Sequence, residues 1–83
     1  MSLERLKNAK KITIGTKQTM RALHNKEALV VYIAKNADPH VANPIIQLAT
    51  EEGVDTVLVD TLRDLGKACG IEIGSATASI IED

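Results

Sequence analysis

Aromatic side chains are nearly missing from this chain: there is one tyrosine, Tyr32, and no phenylalanine or tryptophan. Proteins that hold single-stranded nucleic acid by stacking bases on rings need several such side chains, so that class is excluded. Cysteine is equally scarce. The single thiol, Cys69, cannot form an internal disulfide or build a multi-thiolate zinc site. Long apolar runs are absent too, and nothing approaches the roughly 20 residues of a membrane-spanning helix. Charges at Glu4, Arg5 and Lys7 come too early for the apolar segment of a signal peptide. A cytoplasmic protein in a reducing setting, with no membrane association, is expected.

The residues of catalysis are also in short supply. The two histidines, His24 and His40, fall on different predicted helices, and neither has a second base or ligand at helical spacing. Ser75, Thr77 and Ser79 alternate as packing residues of a strand do, with no strand-turn-helix elbow around them. Asp55, Asp60 and Asp64 are spaced for loops and caps and do not form an EF-hand pattern. No enzymatic activity, cofactor or metal is expected.

What the chain does have is a core-forming composition. It is 45% hydrophobic and 25% charged over 83 residues, which suits one folded domain spanning residues 1–83. Charge is strongly segregated. Residues 1–26 carry Arg5, Lys7, Lys10, Lys11, Lys17, Arg21 and Lys26 against Glu4 alone, a net +6; the remainder carries −7. One end can therefore meet a polyanion while the whole stays near neutral. Solvated helix faces are the plainer explanation of the same lysines.

Helix and strand signals alternate. Leu3, Leu6 and Ala9 predict a short amphipathic helix over 3–10. Ile12–Ile14 is a strand ended by Gly15, and Thr16 is expected to cap a helix running to about Asn25. Met20 and Leu23 face inward, and Lys17, Gln18 and Arg21 share the opposite side. Leu29 to Ala34 is apolar throughout, as in a strand covered on both faces. Asp38-Pro39 and Asn43-Pro44 both read as helix starts. The helix they open has Ile45, Ile46, Leu48 and Ala49 inside and Gly53 at its end. Val57–Val59 is a third strand. Thr61, with Asp64 three residues on, caps a fourth helix lined by Leu62, Leu65, Ala68 and Cys69 and stopped by Gly70. Ser75–Ile81 is the last strand. The order implies an α/β fold, a three-layer α-β-α sandwich with a four-stranded mixed sheet.

Two places carry chemistry. At Gly15-Thr16-Lys17 a glycine turn leads into a helix whose first amides lack partners, an end that favours anions, and Lys17, Gln18 and Arg21 add donors. The segment lacks the second glycine of a phosphate-binding loop. At Gly70–Gly74 a short loop carries Ile71 and Ile73, which either fold inward or leave one isoleucine exposed for a partner.

Three blocks taken together, Gly15-Thr16-Lys17-Gln18-Thr19, Ala34-Lys35-Asn36-Ala37-Asp38-Pro39 and Leu65-Gly66-Lys67-Ala68-Cys69-Gly70-Ile71-Glu72-Ile73, resemble the ribosomal L7Ae/L30e family of kink-turn RNA-binding proteins, in order and in spacing. The short bacterial members are the nearest in form. The resemblance implies an α-β-α sandwich that grips a sharp bend in double-stranded RNA, built on tandem sheared G·A pairs beside an extruded nucleotide. It implies RNA contacts from Gly15, Thr16, Lys17, Gln18, Arg21, Lys35, Asp38, Lys67, Ile71, Glu72 and Ile73. Lys17 and Gln18 stand where the family has Asn and Glu against the guanine edges. Arg21 stands at a basic, phosphate-meeting position. Asp38 and the loop Ile71–Ile73 stand where the extruded nucleotide is held. Ile14 replaces a residue that is often basic in the family, so one phosphate contact is expected to be lost.

The expectation is a monomeric, non-catalytic binder of kink-turn RNA, ribosomal or otherwise structured. The alternative is a protein–protein adaptor that uses an exposed apolar loop. An RNA-modifying enzyme would need a base or metal cluster that the sequence does not offer.

Overall fold

The computed structural model describes residues 3–83, and the order of elements is the one the sequence implies. They are α1 (Glu4–Asn8), β1 (Lys11–Ile14), α2 (Thr16–His24), β2 (Val30–Ala34), α3 (Pro39–Glu51), β3 (Asp55–Val59), α4 (Leu62–Ala68) and β4 (Thr77–Glu82). The strands form one mixed sheet in the order β1-β4-β2-β3. β4 runs antiparallel to both its neighbours, and β2 pairs with β3 in parallel. Hence β1, β2 and β3 all point the same way, and β4 starts where they end. Helices α2 and α3 cover one face; α4, with α1 packed on it, covers the other. Among the described residues no helix is long and apolar enough to cross a membrane.

Burial explains the strand sequences. Every residue of β2 is buried, as the unbroken run Val30–Ala34 requires of a strand between two helical layers. β3 lies at the sheet edge, and its Leu58 is half-exposed. Small side chains in β4 let α2 approach closely. There a chain of buried hydroxyls joins three elements: Thr13 Oγ1 lies 3.0 Å from Thr19 Oγ1 and also hydrogen-bonds Ser79 Oγ. The hydroxyl of Thr77 is buried without a partner.

Capping chemistry sets the helix bounds. Asp38 accepts from the His40 N–H at 2.9 Å with Pro39 at the first helical position, so α3 starts at the first of its two start signals. It runs on through Pro44 to Glu51, before Gly53 at φ +70°. Thr61 caps α4 by accepting from the Asp64 N–H at 3.0 Å, as its spacing predicts.

Three local expectations are corrected. Thr16 is not the cap of α2. Gly15 is, with φ +90° and no side-chain cap, because the turn out of β1 needs a backbone angle that threonine resists. Ile46 does not point inward. The inner stripe of α3 is Ala42, Ile45 and Ala49, and Ile46 lies on its flank beside Leu58 in a shallow apolar groove. The last strand begins at Thr77, two residues late. Ser75 is turned out of the ladder, its N–H given to the Leu62 carbonyl and its hydroxyl to the Thr77 carbonyl.

Candidate functional site

Four connections meet at the edge of the sheet where β1, β2 and β3 end. Gly15 turns the chain from β1 into α2, and its N–H donates to the Thr77 carbonyl at 2.9 Å. That bond joins the start of α2 to the first residue of β4, directly after the loop 70–76. The loop is held against α4. The Ile71 N–H donates to the Gly66 carbonyl at 3.1 Å, and the Ser75 N–H to the Leu62 carbonyl at 3.0 Å. Gly66 makes the fit possible, because a Cβ there would lie 2.0 Å from the Ile73 carbonyl oxygen. The connection after β2 is tied in by Asn36, whose Oδ1 accepts from the Leu62 N–H at 2.8 Å. Lys35 N–H donates to the Val59 carbonyl at 2.7 Å. The turn at 15–18, the segment 35–38 and the loop 71–74 thus share one end of the molecule.

On this edge the side chains fall into two kinds. Lys17, Gln18 and Arg21 are exposed on α2, and neither Lys17 nor Arg21 meets an acceptor among the described residues. The first helical bond of α2 runs from the Thr19 N–H to the Gly15 carbonyl at 3.1 Å, so the amides of Thr16, Lys17 and Gln18 have no helical partner. The Gln18 side-chain oxygen Oε1 folds back to accept from the Ile14 N–H at 3.2 Å. Lys35 is exposed and lies 3.4 Å from Asp60, a pair open to solvent and therefore weak. Lys67 is exposed on the last turn of α4.

The second kind is apolar. Ile73 is 75% exposed, the most exposed large hydrophobic residue among the described residues, while Ile71 is half-buried. The two outcomes left open for these isoleucines are therefore divided between them. Glu72 between them is exposed. Asp38 is exposed but already engaged as the cap of α3. Cys69 closes α4, and burial pushes its thiol up to about 11, which makes it a poor nucleophile. No group of three or more metal-ligating side chains forms among the described residues.

Sequence reasoning missed what holds this arrangement. Asn36 caps a helix 26 residues away, Gly66 admits the loop, and Thr19 anchors α2 through Thr13. Only Thr19 left a local signal, as a hydroxyl on the inward stripe with Ala22 and Leu23. The edge can therefore offer cations and unpaired N–H donors beside a projecting aliphatic side chain. Such a surface suits a polyanion that also presents an unstacked, apolar-faced group.

Known proteins resemble this chain over most of its length. Residues 2–83 match the model of the ribosomal protein L7Ae/L30e/S12e/Gadd45 family. An RNA-binding protein of Bacillus pumilus is 44% identical over 81 residues, 98% of this chain and 99% of that protein. The large ribosomal subunit protein eL8 of Halobacterium salinarum is 33% identical, over 96% of this chain and 68% of that protein. Among solved structures, the Giardia lamblia 15.5kD RNA binding protein superposes with a TM-score of 0.87 at 25% identity, over 98% of this chain and 71% of that one. With the family model spanning nearly its whole length, the chain belongs to the ribosomal protein L7Ae/L30e/S12e/Gadd45 family.

Proposed function

We propose that this protein is a non-catalytic RNA-binding protein that recognises kink-turns, in ribosomal RNA or in another structured RNA of the cytoplasm. The observation that carries the reading is the Gly15–Thr77 hydrogen bond, which sets the donor-rich start of α2 beside the loop bearing Ile73. Lys17 and Gln18 face the guanine edges of sheared G·A pairs, and Arg21 meets phosphate. Ile73 packs on the extruded nucleotide, which replaces the ring stacking that a chain with one tyrosine cannot provide. Relatives named as RNA-binding and ribosomal proteins support the class of ligand. One copy supplies every candidate residue, so a monomer suffices. Binding holds the bent conformer of an RNA that also samples extended ones.

A titration against a kink-turn RNA, and against the same RNA with its G·A pairs converted to Watson–Crick pairs, tests the proposal. The kink-turn is expected to bind at least about tenfold tighter, the worth of one good base-edge contact. Equal affinity, falling steeply with salt for both, would leave only nonspecific attraction to phosphate. A protein–protein adaptor, the other reading of an exposed apolar loop, has no specific observation in its favour.

A further inference from the structure

We infer that the free edge of β3 docks an extended basic segment of another protein, in which apolar and cationic residues alternate, as a fifth strand of the sheet. This surface lies at the sheet edge opposite β1 and does not depend on the RNA-binding reading.

The two edges of the sheet are built differently. An edge strand exposes unpaired N–H and C=O groups, and proteins blunt such edges with bulges, lysines or a covering group. β1 is blunted in all three ways. Its register shifts between Lys11 and Ile12, Lys10 and Lys11 are exposed at its start, and Gln18 Oε1 takes the Ile14 N–H. β3 has none of these devices. Its five residues pair with β2 without a shift, and they include no proline or lysine. The Val59 carbonyl faces β2, where it accepts from the Lys35 N–H at 2.7 Å. Successive residues of a strand turn their backbone groups to opposite sides. Thr56 and Leu58, both exposed, therefore each present an N–H and a C=O to the open side.

The chemistry around these groups selects the occupant. Leu58 is 46% exposed. On its α3 side runs an apolar groove of about 220 Å³, lined by Pro39, Ala42 and Ile46 among others. On the side of α1 and α4 lies a hollow of about 150 Å³, where Leu3 and Val59 meet Asp60 and Asp64. Side chains of an added strand alternate between the two faces. One set enters the apolar groove, and the other reaches the two carboxylates. Charge agrees along the whole edge: residues 51–64 carry Glu51, Glu52, Asp55, Asp60 and Asp64 against Arg63 alone, a net −4. Glu52 is paired with Lys26, whereas Asp60 has only its weak, solvent-open pair with Lys35. A second copy of this chain fits poorly, because two such edges side by side oppose like charges. The same charge repels a nucleic acid.

The test uses the full chain, isotope-labelled for NMR, and synthetic peptides of about seven residues, long enough to span β3. One peptide alternates lysine and valine, a second holds the same residues in two blocks, and a third alternates glutamate and valine. The readouts are amide shifts and dissociation constants from fluorescence anisotropy. The alternating basic peptide is expected to bind saturably, to move the amides of Thr56 and Leu58, and to weaken as salt rises. Leu58→Lys, which puts a cation at the apolar groove, is expected to bind it at least about tenfold more weakly. Asp60→Asn combined with Asp64→Asn is expected to weaken binding and flatten its salt dependence. That variant leaves β3 untouched and decides the matter if Leu58→Lys fails to fold. Equal affinity for the alternating and blocked peptides, equal affinity for the acidic peptide, shifts confined to other elements, or no saturable binding overturns the proposal. Dimerisation of the protein alone, with concentration-dependent shifts at β3, assigns the edge to a second copy and also overturns it. A kink-turn RNA titration of the same wild-type protein keeps the two readings apart. Binding of the RNA without the peptide removes this surface alone, and binding of the peptide without the RNA removes only the RNA-binding reading.

Discussion

Replacing Gly66 by alanine sets two effects of opposite sign against each other. In the middle of a helix such as α4, alanine is favoured over glycine by about 1 kcal/mol. Against this, the new Cβ would stand 2.0 Å from the Ile73 carbonyl oxygen and 3.1 Å from the Gly74 Cα. An ordinary close carbon–oxygen approach is about 3.3 Å, so the loop must retreat by more than about 1 Å. The obstructing atoms are backbone, and no rotamer change clears them. Overpacking of this kind costs about 1–3 kcal/mol. The retreat also weakens the hydrogen bonds from Ile71 to Gly66 and from Ser75 to Leu62, each worth about 1 kcal/mol. The clash wins, and Gly66→Ala should lose about 1–3 kcal/mol, or roughly 5–20 °C in melting temperature for a domain of this size. Because the loop carries Ile73, RNA affinity should fall at least about tenfold at temperatures where the variant is still folded. Gly70→Ala is the control. Gly70 has φ +82° but open space around its Cβ position, so alanine costs about 1–2 kcal/mol of backbone strain and leaves the loop contact intact. Thermal melts and RNA titrations on both variants check this. A Gly66→Ala protein that melts above the wild type, as helix propensity alone demands, or that keeps full RNA affinity, refutes the reasoning.

Lys17→Ala should weaken binding of kink-turn RNA by about 1–3 kcal/mol in a titration. Its melting temperature should barely move, since Lys17 is exposed and meets no acceptor among the described residues. Two threonines of β1 and β4 should respond oppositely in denaturant unfolding. Thr77→Val removes a buried hydroxyl without a partner and should stabilise by about 1–2 kcal/mol, whereas Thr13→Val strands Thr19 and Ser79 and should cost about 1–3 kcal/mol. Cys69 should react slowly with thiol reagents in the folded protein at neutral pH. Its folded value is raised from 9.0 to about 11, so stability should hold below pH 9 and fall as pH rises toward 11, where the unfolded thiol ionises first.

Local chemistry made the elements legible. Asp38-Pro39, Thr61 with Asp64, Gly53 and Gly70 mark ends because caps and positive φ angles are properties of single residues. The all-apolar run of β2 announced two covered faces for the same kind of reason. Thr16 misled because threonine is an ordinary cap, while the demand here fell on the φ of Gly15. Ile46 misled because helical spacing does not say how wide the covering layer is, and here β3 is the last strand beneath it. The residues of the candidate edge were each visible as glycine, cation or isoleucine. What brings them together was not. The bonds from Gly15 to Thr77 and from Leu62 to Asn36 span long stretches of chain, and no spacing rule connects their ends. The choice between Ile71 and Ile73 depended on how the loop lies on Gly66, a packing fact with no echo in composition.

The placement of β4 bears on how the molecule is made. The final strand lies between β1 and β2, so the sheet is completed by threading the newest segment into its middle. Until then β1 has no partner in the sheet and Gly15 has no carbonyl to hold its turn. Pairings between segments so far apart in sequence are the slow ones, because loop closure precedes their reward. A chain emerging during synthesis therefore carries Lys17, Gln18 and Arg21 long before the loop bearing Ile73 is held beside them, and the candidate edge is assembled only with the completed fold.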